Sequence, residues 1–96
     1  MEKQILSSIE EKAHNFLIET GFKFEVINGE RIYEHNGHFH KFTHVKGLSC
    51  FVIESAESKD EAINNLYEDS DLIPFSHNED EVLFAFRNII MEYYVD

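Results

Sequence analysis

The chain has 96 residues, of which 43% are hydrophobic and 14% aromatic. This apolar content is enough for a folded core, so it excludes wholesale disorder and predicts a single domain over residues 1–96. The formal net charge of −11 disfavours binding to nucleic acid, because a surface of this sign repels phosphates.

The cysteine content and the N-terminal segment bear on the cellular compartment. Cys50 is the only cysteine, so no disulfide can form within the chain. No apolar run is as long as a membrane span, and Met1–Gln4 leads into an amphipathic stretch and not into the apolar core of a signal peptide. These features predict a cytoplasmic protein.

The first predicted element is an amphipathic helix over residues 2–20. Its apolar side chains recur at helical spacing. They are Leu6, Ile9, Ala13, Phe16 and Leu17. Gly21 follows where a glycine commonly ends a helix.

Two hairpin turns follow, at Asn28-Gly29 and Asn36-Gly37, each between β-prone segments. Asn-Gly suits the type I′ turn, because both central residues of that turn have positive φ. Two-residue loops at these sites fix the register of three strands. The predicted pairs are Lys23 with Glu34, Phe24 with Tyr33, His35 with His38, Tyr33 with His40, and Arg31 with Phe42.

Alternation along these strands gives the sheet one mostly aromatic face and one mixed, charged face. The aromatic face is predicted to carry Phe22, Phe24, Val26, Tyr33, His35, His38, His40 and Phe42. The opposite face carries Lys23, Glu25, Ile27, Ile32, Glu34, Phe39 and Lys41. A weaker turn at Lys46-Gly47 leads to a fourth predicted strand over residues 48–54, which would add Phe51 and Ile53 to the aromatic face.

The C-terminal part of the chain is predicted to be helical. Residues 58–61 form a capping box that opens a short helix, and residues 78–81 form a second one that opens the last helix, which runs to about Tyr94. We interpret residues 68–71 as an acidic turn and 72–76 as a connector or a short extra strand. The predicted fold is therefore α+β, with a single-layer four-stranded antiparallel meander, helices packed on one face, and the order α-β-β-β-β-α-α.

The histidines are the first candidate for chemistry. His35, His38 and His40 share the aromatic face and could bind a divalent transition metal or respond to pH. In this register no carboxylate shares that face, and the chain has no second cysteine to serve as a ligand. We therefore interpret these side chains first as the rim of the core and keep a metal-binding or pH-responsive domain as an alternative.

The acidic segment is the second candidate. Between Glu54 and Glu81 ten positions are Asp or Glu, and only Lys59 is basic. This pattern favours a small acidic protein-binding domain, such as an immunity protein or antitoxin that neutralises a basic partner. The predicted partner-binding residues are Glu57, Glu68, Asp69, Asp71 and Glu79. The alternative is that these acids only cap helices and solvate loops.

The last helix is the third candidate, because it is apolar over most of its circumference. Phe84 and Met91 lie away from the apolar stripe through Phe86 and Ile90. Either neighbouring elements cover the helix on all sides, or Phe84 and Met91 form the interface of a structural homodimer.

Sequence motifs of enzymes are absent: the chain has no phosphate-binding loop, no dinucleotide glycine pattern and no nucleophile elbow. We therefore predict a protein without catalytic activity. A hydrolase or isomerase that uses His40 with a nearby acid stays open as a lesser alternative.

Overall fold

The computed structural model describes residues 2–45, 47 and 49–95. The elements in chain order are α1 (Glu2–Thr20), β1 (Lys23–Ile27), β2 (Glu30–His35), β3 (His38–Val45), β4 (Cys50–Ala56), α2 (Lys59–Ile63), β5 (Glu68–Pro74) and α3 (Glu79–Ile89). A π-helical turn, Ile90–Tyr94, continues α3. None of the helices in the described part of the chain has the length and apolar character needed to cross a membrane.

Both Asn-Gly dipeptides form the predicted hairpin turns. Asn28 and Asn36 have φ of 54° and 52°, and the glycines after them have φ of 78° and 82°. As a result β1 pairs with β2 in the predicted register, from Lys23 opposite Glu34 to Ile27 opposite Glu30.

The ladder between β2 and β3 is shorter than predicted. The pairs of His35 with His38 and Tyr33 with His40 are confirmed. The ladder ends there, so the predicted pair of Arg31 with Phe42 is wrong. From this point β3 diverges from β2 and stays paired with β4 as far as Val45.

The connection from β3 to β4 is longer than a two-residue turn. Lys46, in the predicted turn, and Leu48, the predicted start of the strand, lie outside the described residues. Val45 pairs with Cys50, whereas a two-residue turn would pair it with residue 48. The shift amounts to two positions and preserves the alternation of faces. Phe51 and Ile53 therefore lie on the aromatic face as predicted, and the Phe51 ring stacks on Phe42 with 4.7 Å between centroids.

Within the described residues the sheet has five strands and not four, in the order β1-β2-β3-β4-β5. The acidic turn predicted at residues 68–71 is wrong, because this segment is the first half of β5, antiparallel to β4. An edge strand has solvent on one side, so it tolerates carboxylates that a central strand does not. Ile73, fully buried opposite Phe51, anchors the strand to the core.

Helices pack on both faces of the sheet. α1 and α3 cover the aromatic face, where the largest cluster of buried side chains forms. Its members are Ile9, Ala13, Leu17, Phe22, Tyr33, Phe51, Ile53, Ile73, Val82, Leu83, Phe86 and Ile90. The prediction that all helices share one face is wrong for α2, whose Ala62 packs on the mixed face.

Three side chains of the mixed face are apolar, and α2 shields them from water. Ile27, Ile32 and Phe39 form a second buried cluster with Ala62 and with Ala56 of β4. Removing such side chains from water is the main favourable term in folding, so a short helix here stabilises the sheet.

Lys41 also lies on the mixed face and is buried. Its ammonium lies 3.1 Å from a Glu30 carboxylate oxygen and 3.4 Å from the Asn65 side-chain oxygen. It also lies over the Tyr67 ring, 4.3 Å from the centroid. These partners offset the cost of burying the charge.

Candidate functional site

An open cleft of about 430 Å³ lies where the β2–β3 hairpin, the ends of β4 and β5, and the π-helical turn meet. The hairpin contributes its three histidines, and β4 and the residue after it contribute Ser55 and Glu57. From β5 come Glu68, Asp69 and Ser70, and the π-helical turn adds Tyr93 and Tyr94. We name this opening the histidine–acid cleft.

The histidines are positioned by the second Asn-Gly turn. His35 and His38 close the turn as a pair, and His40 lies two residues further on the same face. The rings pack on aromatic neighbours: His35 is 4.9 Å from Phe22 and His40 is 5.0 Å from Tyr94, between ring centroids. The predicted grouping of the three imidazoles on one face is therefore present.

His40 begins a chain of hydrogen bonds that reaches the protein surface. Its Nδ1 lies 2.7 Å from the Ser55 hydroxyl, which accepts a hydrogen bond from the Ser70 hydroxyl at 2.7 Å. Burial, followed by the nearby His38 and His35, lowers the pKa of His40 to about 4. The imidazole is therefore neutral near pH 7. The hydrogen bonds through Ser55 form a path along which a proton can pass between His40 and the exposed Ser70.

The histidines do not form a ready-made metal site in this arrangement. Within residues 2–45, 47 and 49–95, no group of three or more His, Cys, Asp or Glu side chains is arranged to hold a metal ion. One nitrogen of His40 is already engaged by Ser55. Metal binding by His35, His38 and His40 stays a prediction.

Three of the five predicted partner-binding acids meet at the cleft. Glu57, Glu68 and Asp69 are exposed, and their carboxylates line the same opening. None of them takes part in an ion pair with a described basic side chain, although other acids of the chain do. The cleft therefore carries a concentrated negative charge that described cations leave uncompensated.

The other two predicted acids serve internal contacts. Asp71 accepts a hydrogen bond of 2.6 Å from the Tyr94 hydroxyl. Glu79 accepts one from Ser8 and lies 3.1 Å from the Lys12 ammonium, so it ties the start of α3 to α1. The Ser8 hydroxyl first, and then Lys12, lower the pKa of Glu79.

Five residues of the cleft have no functional role in the sequence prediction, which places Asn36 only in the second hairpin turn; the other four are Ser55, Ser70, Tyr93 and Tyr94. Ser55 follows Phe51 and Ile53 in the alternation of β4, so the period of two could have placed it on the aromatic face. Ser70, Tyr93 and Tyr94 arrive only through the pairing of β5 and the packing of the last helix, for which the sequence holds no local signal.

The last helix is covered on one side only. Val82, Leu83 and Phe86 are buried, whereas Phe84 is 67% and Met91 53% exposed. The alternative in which neighbours cover it all round is therefore wrong, while the homodimer interface at Phe84 and Met91 stays a prediction.

The side chains of the histidine–acid cleft come from four segments that are far apart in the sequence. Their convergence depends on the order of the sheet, with β4 between the hairpin and β5.

The chain matches no protein-family model, no curated protein and no solved structure.

Proposed function

We propose that the protein binds a basic segment of another protein in the histidine–acid cleft and has no catalytic activity. The observation that carries this proposal is the meeting of Glu57, Glu68 and Asp69 around one opening, without described cationic partners. A carboxylate that is not engaged within its own chain is available to an ammonium or guanidinium group from a partner.

The aromatic side chains of the cleft suit the same ligand chemistry. Tyr93 is 69% exposed, and Tyr94 lies beside it on the cleft wall. A tyrosine ring attracts a cation placed over its face, and arginine also stacks on such rings. Together, carboxylates and rings favour an arginine- or lysine-rich segment over an uncharged one.

The charge of the whole molecule supports this proposal. A net charge of −11 attracts a basic partner over a longer range than individual contacts do and speeds the encounter. A small domain of this charge resembles, in its physical properties, an immunity protein or antitoxin that neutralises a cationic effector. We propose this role, in the cytoplasm, where the buried free thiol of Cys50 would stay reduced.

The experiment compares two variants with the same change of charge. Glu57→Gln, Glu68→Gln and Asp69→Asn are combined in a cleft variant. The control variant combines Glu10→Gln, Glu19→Gln and Glu92→Gln, whose side chains are exposed and do not line the cleft. Fluorescence anisotropy then measures binding of a labelled arginine- and lysine-rich peptide, with an acidic peptide of equal length as the negative probe.

The proposal predicts that the basic peptide binds and the acidic one does not. The cleft variant should weaken binding roughly tenfold or more, and the control variant much less, because only the first removes contacts as well as net charge. Equal weakening by the two variants would show unspecific charge attraction, and failure of the basic peptide to bind would end the proposal.

A second candidate function is the binding of a divalent transition metal by His35, His38 and His40. The observation that favours it is Glu68, opposite Ser55 in the sheet, which brings a carboxylate to the histidine side of the cleft. Calorimetric titration of tag-free protein with Zn²⁺ tests it. If wild-type protein releases or absorbs heat on binding Zn²⁺ and the His38→Gln variant does not, the result supports a metal site at the histidines. A titration of wild-type protein without heat would rule this second function out.

A further inference from the structure

The two edges of the sheet differ in how well they are protected against further strand pairing. β5 carries several carboxylates, an irregularity in its register and Pro74, all of which discourage another strand from adding. β1 has no proline and no irregularity in its register, and its two charged residues, Lys23 and Glu25, have opposite signs. Its side chains Phe24 and Val26 are 42% and 62% exposed.

The backbone of β1 is free to pair outward at two residues. Ile27 and Glu30 close the first Asn-Gly turn, so Ile27, and by alternation Glu25 and Lys23, exchange hydrogen bonds with β2. The N–H and C=O groups of Phe24 and Val26 therefore point away from the sheet. Among the described residues, the backbone N–H and C=O groups of Phe24 and Val26 form no backbone hydrogen bond outside the sheet.

The charges of β1 are complementary to those of a second, antiparallel β1. With Phe24 opposite Phe24 of the second copy, each Lys23 lies opposite Glu25 of the other copy. Opposite charges facing each other across two strands stabilise the pair, and like charges destabilise it. A register centred on Glu25 would set two carboxylates against each other, so the charges select the first register.

We propose that two copies of this chain associate through β1, which joins their five-stranded sheets into one continuous sheet. The dimer is isologous, since the same strand supplies both halves of the interface. Within one copy, Glu25 forms an ion pair with Lys59 through one carboxylate oxygen, at 3.2 Å. In the dimer, Lys23 of the second copy approaches the same carboxylate. The cleft is formed in part by β5, at the opposite edge, so the dimer leaves both clefts open.

The test is a charge exchange read by sedimentation velocity over a series of protein concentrations. Wild-type protein is expected to dimerise as its concentration rises. Lys23→Glu and Glu25→Lys, each alone, place like charges opposite each other twice and should weaken the dimer roughly tenfold. The double variant restores opposite charges and should recover the wild-type dissociation constant.

Two further variants keep the result interpretable. Lys23 also lies opposite Glu34 within the chain, so Glu25→Gln removes the inter-copy attraction without adding a like charge beside Glu34. It should weaken the dimer, and thermal melting monitors its fold. Phe84→Glu should leave the dimer unchanged, because it alters the last helix. A monomer at every concentration, loss of the dimer in Phe84→Glu, or no recovery in the double variant would each overturn the proposal.

Discussion

At the scale of single residues, His40 couples the cleft to the stability of the fold. Its imidazole is packed between the sheet and the π-helical turn, and burial favours the neutral ring. The titratable and charged groups around it include those that line the cleft. They are His35, His38, Glu57, Glu68, Asp69 and Tyr94. Burial first, and then His38 and His35, lower the pKa of His40 to about 4.

This lowered pKa makes stability depend on pH in a defined direction. Between pH values of about 6.5 and about 4 the unfolded chain binds a proton at His40 that the folded chain does not, so the folded state loses stability as the pH falls. We expect a loss of about 2–3 kcal/mol in the free energy of unfolding from this residue. Urea denaturation at several pH values measures it. In the His40→Gln variant the free energy of unfolding should fall less steeply with decreasing pH than in wild type. An unchanged pH dependence would show that His40 is not the residue responsible.

Tyr94 holds the π-helical turn to the edge strand. Its hydroxyl donates to Asp71, and its partial burial raises the pKa of the phenol above its ordinary value, with the hydrogen bond to Asp71 acting in the same direction. Tyr94→Phe leaves this carboxylate without its partner, which should cost about 1–2 kcal/mol of stability. Tyr93→Phe is the matched control, because Tyr93 is exposed. Equal urea midpoints for the two variants would mean that this hydrogen bond contributes nothing.

At the scale of elements, the hairpins were predictable because their register is a local property. An Asn-Gly pair in a type I′ turn determines which residues face each other, and period-two alternation then sorts the side chains. The same rules failed where structure depends on distant partners. β5 is rich in carboxylates and is a strand only because β4 offers it a ladder, and α2 lies on the mixed face because Ile27, Ile32 and Phe39 require cover.

The second turn can be tested with a pair of glycines. A Cβ added at Gly37 or at Gly47 would meet no atom within 4 Å, but only Gly37 has a positive φ, of 82°. Gly37→Ala should therefore destabilise the protein by about 1–2 kcal/mol through backbone strain alone. Gly47→Ala should be near neutral. Comparable melting temperatures for the two variants would argue against the turn geometry that fixes His35 opposite His38.

At the scale of the whole molecule, the distribution of charge separates two kinds of acid. Glu79 ties α3 to α1, and Asp71 holds the π-helical turn to β5, whereas Glu57, Glu68 and Asp69 face the cleft. Composition predicted an acidic surface, and sequence position could not distinguish these roles. The distinction depends on which acids meet a donor after folding, and those donors lie on other elements.

The most direct test of the cleft as a binding site is NMR titration of the uniformly labelled protein with an arginine- and lysine-rich peptide. Binding in the cleft should shift amide signals mainly at Ser55, Glu57, Glu68, Asp69 and Tyr93. The exposed acids of α1 should stay unaffected under the same conditions. Shifts centred on α1, or spread evenly over the acidic surface, would show that the peptide does not bind in the cleft.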